Sequence, residues 1–303
     1  MKIVITGATG LIGTALSASL RADGHDVVPL VRRPVRVGES AVQWDPAAGT
    51  LDPAGLEGAD AVVNLAGAGI GDKRWSDEYK RLVLESRTSS TGLVARTIAE
   101  LDRPPSVLVS GSAIGIYGET GDRAATERSA HGHDFLAQVC EQWEAATAPA
   151  EEAGTRVAHL RTGMVLAGQG GALGKMLPLF KLGVGGRMGS GEQWWSWISL
   201  DDEIAMIRWL LDTDVSGPVN ATSPQPVTNA DLTRSLGQVL HRPTVVPVPS
   251  FGPKILLGAE LADTLLFTSQ KVLPQVAIDT GFVFRYPTIE GALRHVLDRP
   301  AAA

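Results

Sequence analysis

The chain has 303 residues, 44% hydrophobic and 20% charged, enough for one large domain or two modest ones around a real core. A net charge of -6, with no local lysine and arginine cluster, argues against a nucleic-acid partner, because phosphate binding needs a basic face. One cysteine excludes an internal disulfide, the first apolar run is too short for a signal peptide, and no run approaches membrane-spanning length; the expectation is a soluble, cytoplasmic protein with no membrane partner.

In chain order, KIVITG (2–7) reads as a buried strand and LIGTALSASLRADG (11–24) as a helix ended by Gly24. HDVVPLVR (25–32) and ADAVVNLAG (59–67) are further strands. A long helical segment over 76–101 opens on Ser76, a capping residue with an acid two positions on. PSVLVSGS (105–112) is a strand, HDFLAQVCEQWEA (133–145) a helix, and TRVAHLRTGMVL (155–166) another strand. Strands alternating with helices imply an α/β fold, a doubly wound parallel sheet with helices on both faces. After Leu166 the texture changes to a glycine-rich stretch (168–198) ending in EQWWSWI, then to proline-rich turns and short helices, among them 228–240. The expected organisation is a nucleotide-binding domain over 1–166, with a strand returning near 217–223, and a smaller substrate lobe over 167–303. The three tryptophans 194, 195 and 197 are too close to share one face; they either wall the cleft or pack the lobes together.

TGATGLIG places Gly7, Gly10 and Gly13 three apart between the first strand and the first helix. Gly7 permits the tight turn, Gly10 removes a side chain where a pyrophosphate approaches the backbone, and Gly13 lets the helix sit close to the sheet. Free N–H groups and the positive end of the helix dipole then face the phosphates. A carboxylate at the end of the second strand would select a ribose 2′-hydroxyl; VRRP puts Arg32 and Arg33 there instead, which suits a 2′-phosphate and hence NADP, as NADPH when reduced.

TGATGLIG, NLAG (64–67), SGSAIGIYG (110–118) and LRTGMVL (160–166) together resemble the extended short-chain dehydrogenase/reductase superfamily, the NAD(P)-dependent epimerase/dehydratase type, with a Rossmann domain. GDKRWSDEYKRLVLESRTSST (71–91), WEAA (143–146), the glycine-rich stretch and QKVLPQVAIDTGFVFRYPTIEGALR (270–294) look like its epimerase-family subgroup, which has a distinctive C-terminal domain. The resemblance implies cofactor contacts at Gly7, Gly10, Leu11, Ile12 and Gly13, at Val31 and Arg32 with Arg33 beside them, and at Leu65, Ala66 and Gly67 along the ribose nearest the nicotinamide. It also implies contacts at Arg87, which as a bare residue reads equally well as a surface ion pair, and at Met164 after the sixth strand. Asp45 near the adenine is its weakest implication. Ser112 matches the superfamily serine that meets the substrate oxygen, and Tyr117 follows as a structural or site-lining residue and, at lesser odds, a proton donor.

The superfamily also carries a Tyr-x-x-x-Lys pair on the helix read over 133–145. Spacing from IYG places it at or near Phe135 and Val139, or, slipped by one, at Leu136 and Cys140. Neither register holds a tyrosine or a lysine, so the helix keeps a packing face without the acid–base pair. Cys140 reads as a small buried apolar residue rather than a nucleophile, with Glu141 and Glu144 opposing a thiolate. His131 and His133 read as solvated loop residues, with proton donation the alternative if their loop folds over the cleft; Glu119 and Asp122 are further alternatives, and no spacing suggests a metal. The expected function is an NADP-dependent oxidoreductase or epimerase-like enzyme acting on a carbonyl or carbinol of a small-molecule substrate, with Ser112 and Tyr117 at its site; the alternative is a non-catalytic NADP-binding sensor or scaffold.

Overall fold

The computed structural model describes residues 1–298. The first seven strands are β1 (Lys2–Thr6), β2 (Asp26–Val31), β3 (Val42–Asp45), β4 (Thr50–Leu51), β5 (Ala61–Asn64), β6 (Val107–Ala113) and β7 (Arg156–Thr162), with buried apolar runs in β1, β5 and β6 and the less buried β3 and β4 at the sheet edge. Three short strands, β8 (Met164–Leu166), β9 (Trp194–Trp195) and β10 (Trp197–Ser199), lie outside the main sheet, whereas β11 (Gly217–Ala221) returns to it and β12 (Val227–Thr228) pairs with β9. The eight-stranded order is β11-β7-β6-β5-β1-β2-β3-β4, parallel throughout except for the β3–β4 hairpin. The order reverses between β1 and β5, so their carboxyl ends flank the switch point where such sheets bind ligands.

Helices cover both faces. On one side α1 (Leu11–Ala22) and α6 (Leu200–Asp212) bury Leu16, Leu20, Ile207 and Leu210 against Ile3, Ile5, Val109 and Leu160. On the other, α2 (Asp77–Ala99), α3 (Phe135–Ala145) and α4 (Ala148–Glu152) follow their strands, with Leu93, Val94 and Ile98 against Val4, Val62 and Leu108. The first turn of α2 is fixed by Ser76, whose hydroxyl accepts from Tyr79 N, and that of α3 by Asp134, which accepts from Ala137 N. The C-terminal lobe has its own core of Leu173, Leu177 and Phe180 from α5 (Gly171–Lys181), Trp197, Leu236 and Val239 from α7 (Asn229–Leu240), and Leu293 from the last described helix, Ile289–Val296. No helix among the described residues is long and apolar enough to cross a membrane.

Two departures from the sequence reading have local causes. The strand expected over 155–166 breaks at Gly163, where a Cβ would meet Ser196 O at 2.8 Å and the Thr222 methyl at 2.9 Å. The chain turns there, and β8 pairs with β10 instead of extending β7. Trp195 and Trp197 are buried, so two of the three clustered tryptophans pack, while Trp194 is half-buried, donates to Asp122 at 2.8 Å and lies under Lys271.

Glu203 on α6 is fully buried beneath β7, where it accepts from the Thr162 hydroxyl at 2.8 Å; burial pushes its carboxyl up to about 8 from 4.5. The folded state therefore holds a proton that the unfolded chain releases near pH 4.5, and stability falls as pH rises from about 5 to about 8. In Glu203→Gln the urea midpoints at pH 5 and pH 8 should move closer together than in the wild type; an unchanged difference would remove Glu203 as the cause.

Candidate functional site

Tight steric constraints shape the backbone at the switch point. Gly7 takes φ +66°, and a Cβ on it would meet Leu65 O at 2.7 Å, so the ends of β1 and β5 approach more closely than any side chain permits. A Cβ on Gly13 would lie 2.2 Å from Gly7 O, which fixes α1 tightly over the loop. Gly10 caps α1 with no side-chain hydrogen bond, and a Cβ there would meet only Gly7 O, at 3.3 Å. The N–H groups of the first turn, at Leu11, Ile12 and Gly13, thus stand behind a loop without side-chain cover, the arrangement that receives a phosphate. A cleft of about 540 Å³ borders this loop, between Gly10 and Leu11 on one side and Gln169, Asp201 and His295 on the other. Ser112, Tyr117 and Arg87 do not line it.

A buried polar chain holds the β5 side in place. Thr6 Oγ1 donates to Asn64 Oδ1 at 2.7 Å and accepts from the N–H groups of Leu65 and Ala66 at 2.9 and 3.0 Å. Asn64 Nδ2 donates to Thr91 Oγ1, which also accepts from Trp143 Nε1. Both N–H groups at the head of the Leu65–Gly67 segment are therefore used internally. Arg87 lies against Gly67, where a Cβ would meet its Cζ at 3.3 Å. Its guanidinium is buried over the Trp143 ring and donates to Val83 O, and burial pulls it below the usual arginine range. Among the described residues no carboxylate pairs with it, so the surface ion-pair reading of Arg87 fails.

At the end of β2, Val31 is half-buried and paired with Gln43, and Arg32 and Arg33 are exposed. Arg33 is not free: its guanidinium grips both carboxylate oxygens of Glu39. Met164 N donates to Ser196 O at 2.9 Å. Asp45 is exposed and accepts from Ala47 N and Ala48 N in the β3–β4 turn.

The polar centre at the ends of β6 and β7 is built on Arg161, which the sequence did not single out, and on Glu144, which it offered only as a neighbour of Cys140. Arg161, 3% exposed near the carboxyl end of β7, donates from Nε to Glu144 Oε1 at 2.8 Å and from Nη2 to Glu144 Oε2 at 2.9 Å. Ser112 Oγ donates to the same Glu144 Oε1 at 2.6 Å. Burial resists the charge on Glu144, yet the Arg161 fork and the Ser112 hydroxyl outweigh it and keep the carboxyl below its ordinary range. Tyr117 OH donates to Asn220 Oδ1 at 2.7 Å and accepts from Arg161 Nη1 at 2.9 Å; burial pushes it up to about 12. A charge in a strand of a sheet covered by helices on both faces was the available signal for Arg161, since it demands a buried counter-charge.

Helix α3 presents the slipped register to this centre. Leu136 and Cys140 pack toward Gly115, and Glu144 continues the same stripe to Ser112. Phe135 and Val139 face α2 instead, with Phe135 edge-on to Trp75 and Val139 packed with Tyr79 and Val83. The Cys140 thiol is buried among Ile114, Ile116 and Tyr117, and burial pushes it up to about 12. His131 pairs with Glu141 and lies 3.4 Å from Arg161 Nη2, while Glu119 accepts from Gly121 N and Ser269 N. Among the described residues no group of three histidine, cysteine or acidic side chains is placed to hold a metal.

Removing one member of a buried ion pair strands the other. Arg161→Met should lower the unfolding free energy by about 3–5 kcal/mol, and Arg161→Met with Glu144→Leu should cost less than the arginine change alone; additive losses in urea titrations would show the two groups to be independent.

Comparison with known proteins places this geometry. Residues 3–222 match the model of the NAD dependent epimerase/dehydratase family, and residues 248–296 match a domain of unknown function, DUF1731. The epimerase family protein Mb2239 of Mycobacterium bovis is 42% identical over 299 residues, spanning 98% of each chain. The crystal structure of human epimerase family protein SDR39U1 with NADPH superposes with a TM-score of 0.90 at 33% identity, over 99% of this chain and all of that one. The nucleoside-diphosphate sugar epimerase from Corynebacterium glutamicum, at 40% identity and a TM-score of 0.78, matches 98% of this chain over 58% of its own. Sheet order, glycine loop and near full-length similarity agree: the chain belongs to the NAD-dependent epimerase/dehydratase family, in its SDR39U1-like branch with the DUF1731 C-terminal domain.

Proposed function

We propose that this protein is an NADPH-dependent oxidoreductase or epimerase-like enzyme of the cytoplasm, acting on a carbonyl or carbinol carbon of a small-molecule substrate. The observation that carries the reading is the uncapped start of α1 behind Gly7, Gly10 and Gly13 at the sheet's switch point. It is supported by the solved human relative, which holds NADPH at 33% identity.

The residues present fit such a cofactor. Gly10, Leu11, Ile12 and Gly13 would receive the pyrophosphate, and Arg32, which has no ion-pair partner among the described residues, would receive the 2′-phosphate, with Arg33 beside it and Val31 beneath. Leu65, Ala66, Gly67, Arg87 and Met164 complete the set on the nicotinamide side. Bound there, the cofactor supplies or accepts hydride.

The chain's own groups set what else the site can do. Ser112 has one proton and gives it to ionised Glu144, so toward a substrate hydroxyl its oxygen offers only a lone pair. Tyr117 is tied to Arg161 and Asn220 and holds its proton up to about pH 12, which suits a positioning residue better than a proton donor. With neither tyrosine nor lysine on α3, the proton for the substrate oxygen would come from another group or from water, at a cost of about 10²–10⁴ in rate. The same two observations favour the second reading, a non-catalytic NADPH-binding sensor or scaffold.

Titration with NADPH and NADH, read by energy transfer from the seven tryptophans to the reduced nicotinamide, tests the cofactor. NADPH should bind more tightly, and Arg32→Ala should weaken it by roughly tenfold or more while sparing NADH. Failure of folded, nucleotide-free protein to bind either would end the enzyme reading. Should NADPH bind while no member of a broad carbonyl panel is reduced, the sensor reading stands instead.

A further inference from the structure

The loop after β2 folds an acid, Glu39, back onto Arg33 just past the strand end. Arg33 donates from Nη1 to Glu39 Oε2 at 2.9 Å and from Nη2 to Oε1, a two-pronged grip. Glu39 Oε2 also accepts from Arg36 N at 3.2 Å, and Glu39 N donates back to Arg36 O at 3.0 Å. Arg33 Nη1 further donates to Pro34 O at 3.0 Å. One carboxylate thus closes the whole loop onto Arg33 and leaves Arg32 outside the closure.

We propose that Glu39 is a built-in competitor for the 2′-phosphate of the cofactor, holding Arg33 until that phosphate displaces it and so limiting the preference for NADPH over NADH. The inference rests on the NADPH reading above. Two carboxylate oxygens on one guanidinium reproduce the contact that two phosphate oxygens make, so Glu39 and a 2′-phosphate claim the same fork. Both claim the Nη1–Nη2 edge, and two anions brought to that one edge repel each other. Arg33 holds the Glu39 carboxyl at about 2, so the competitor stays charged throughout the neutral range. The pair is exposed, at 51% for Arg33 and 27% for Glu39, and an exposed pair is weak enough for a phosphate to break. NADH carries no 2′-phosphate and does not contest the grip.

The test is equilibrium binding of NADPH and NADH, followed by energy transfer, to the wild type, Glu39→Gln, Arg33→Ala and the double variant, with urea midpoints to show that each is folded. Glu39→Gln should tighten NADPH by about two- to fivefold and leave NADH unchanged. The gain should vanish when Arg33→Ala is present, because the freed guanidinium is its source. Unchanged or weaker NADPH binding in Glu39→Gln, equal tightening of NADH, or a gain that survives Arg33→Ala each overturns the proposal while the NADPH reading stands. Wild-type protein that binds neither nucleotide overturns both.

Discussion

A guanidinium buried inside a parallel sheet must be surrounded by acceptors, and Arg161 draws its short ones from two elements. Glu144 comes from α3, the Tyr117 oxygen from the turn after β6, and Asn220 stands behind Tyr117 on β11. Asn220 carries the chain of contacts onward: its Nδ2 donates to Leu273 O, and its backbone N–H and that of Val276 both reach Glu127 Oε1. A single charge thereby fixes the register of α3 against β6, the position of Ser112, and the seating of the C-terminal segment on the sheet. Such a network is costly to bury and expensive to break, which favours one arrangement over its neighbours.

The glycine loop works by the opposite principle. Nothing there is held by charge; the positions of β1, β5 and α1 follow from the absence of side chains at Gly7 and Gly13. Close backbone approach brings the Leu65–Gly67 segment beside the start of α1, and the Thr6–Asn64–Thr91 chain then uses up polar groups that would otherwise compete for a ligand. What is left open toward the cleft is the uncapped helix start. Steric exclusion shapes one half of the site and buried electrostatics the other.

Features governed by local rules were legible in the sequence, and features governed by partner choice were not. The glycine spacing, the alternation of strands and helices and the returning strand near residue 217 need only chirality, periodicity and turn chemistry, and each appears in the structure. The α3 register was open by one residue because two apolar stripes, Phe135–Val139 and Leu136–Cys140, are equally good packing faces. Only the Glu144–Arg161 contact decides between them, and it joins residues on different elements. Strand β8 escaped notice because Gly163 alone interrupts the stretch read as one strand, and its reason, a close approach to Ser196 and Thr222, is tertiary. Glu39 likewise gave no local signal: a loop glutamate is ordinary until the loop folds back on Arg33.

The place of β11 in the sheet has a consequence for how the chain is made. Strand β7 ends at Thr162, yet its outer neighbour begins at Gly217, after α5, β8, β9, β10 and α6. At roughly 5–20 residues per second, a ribosome exposes the open edge of β7 for several seconds before β11 emerges to pair with it. During that interval Asn220 is still unmade, and the Tyr117 hydroxyl has no side-chain acceptor. The nascent nucleotide-binding half is therefore an aggregation-exposed intermediate, and its completion waits on a strand delivered by the second half of the chain.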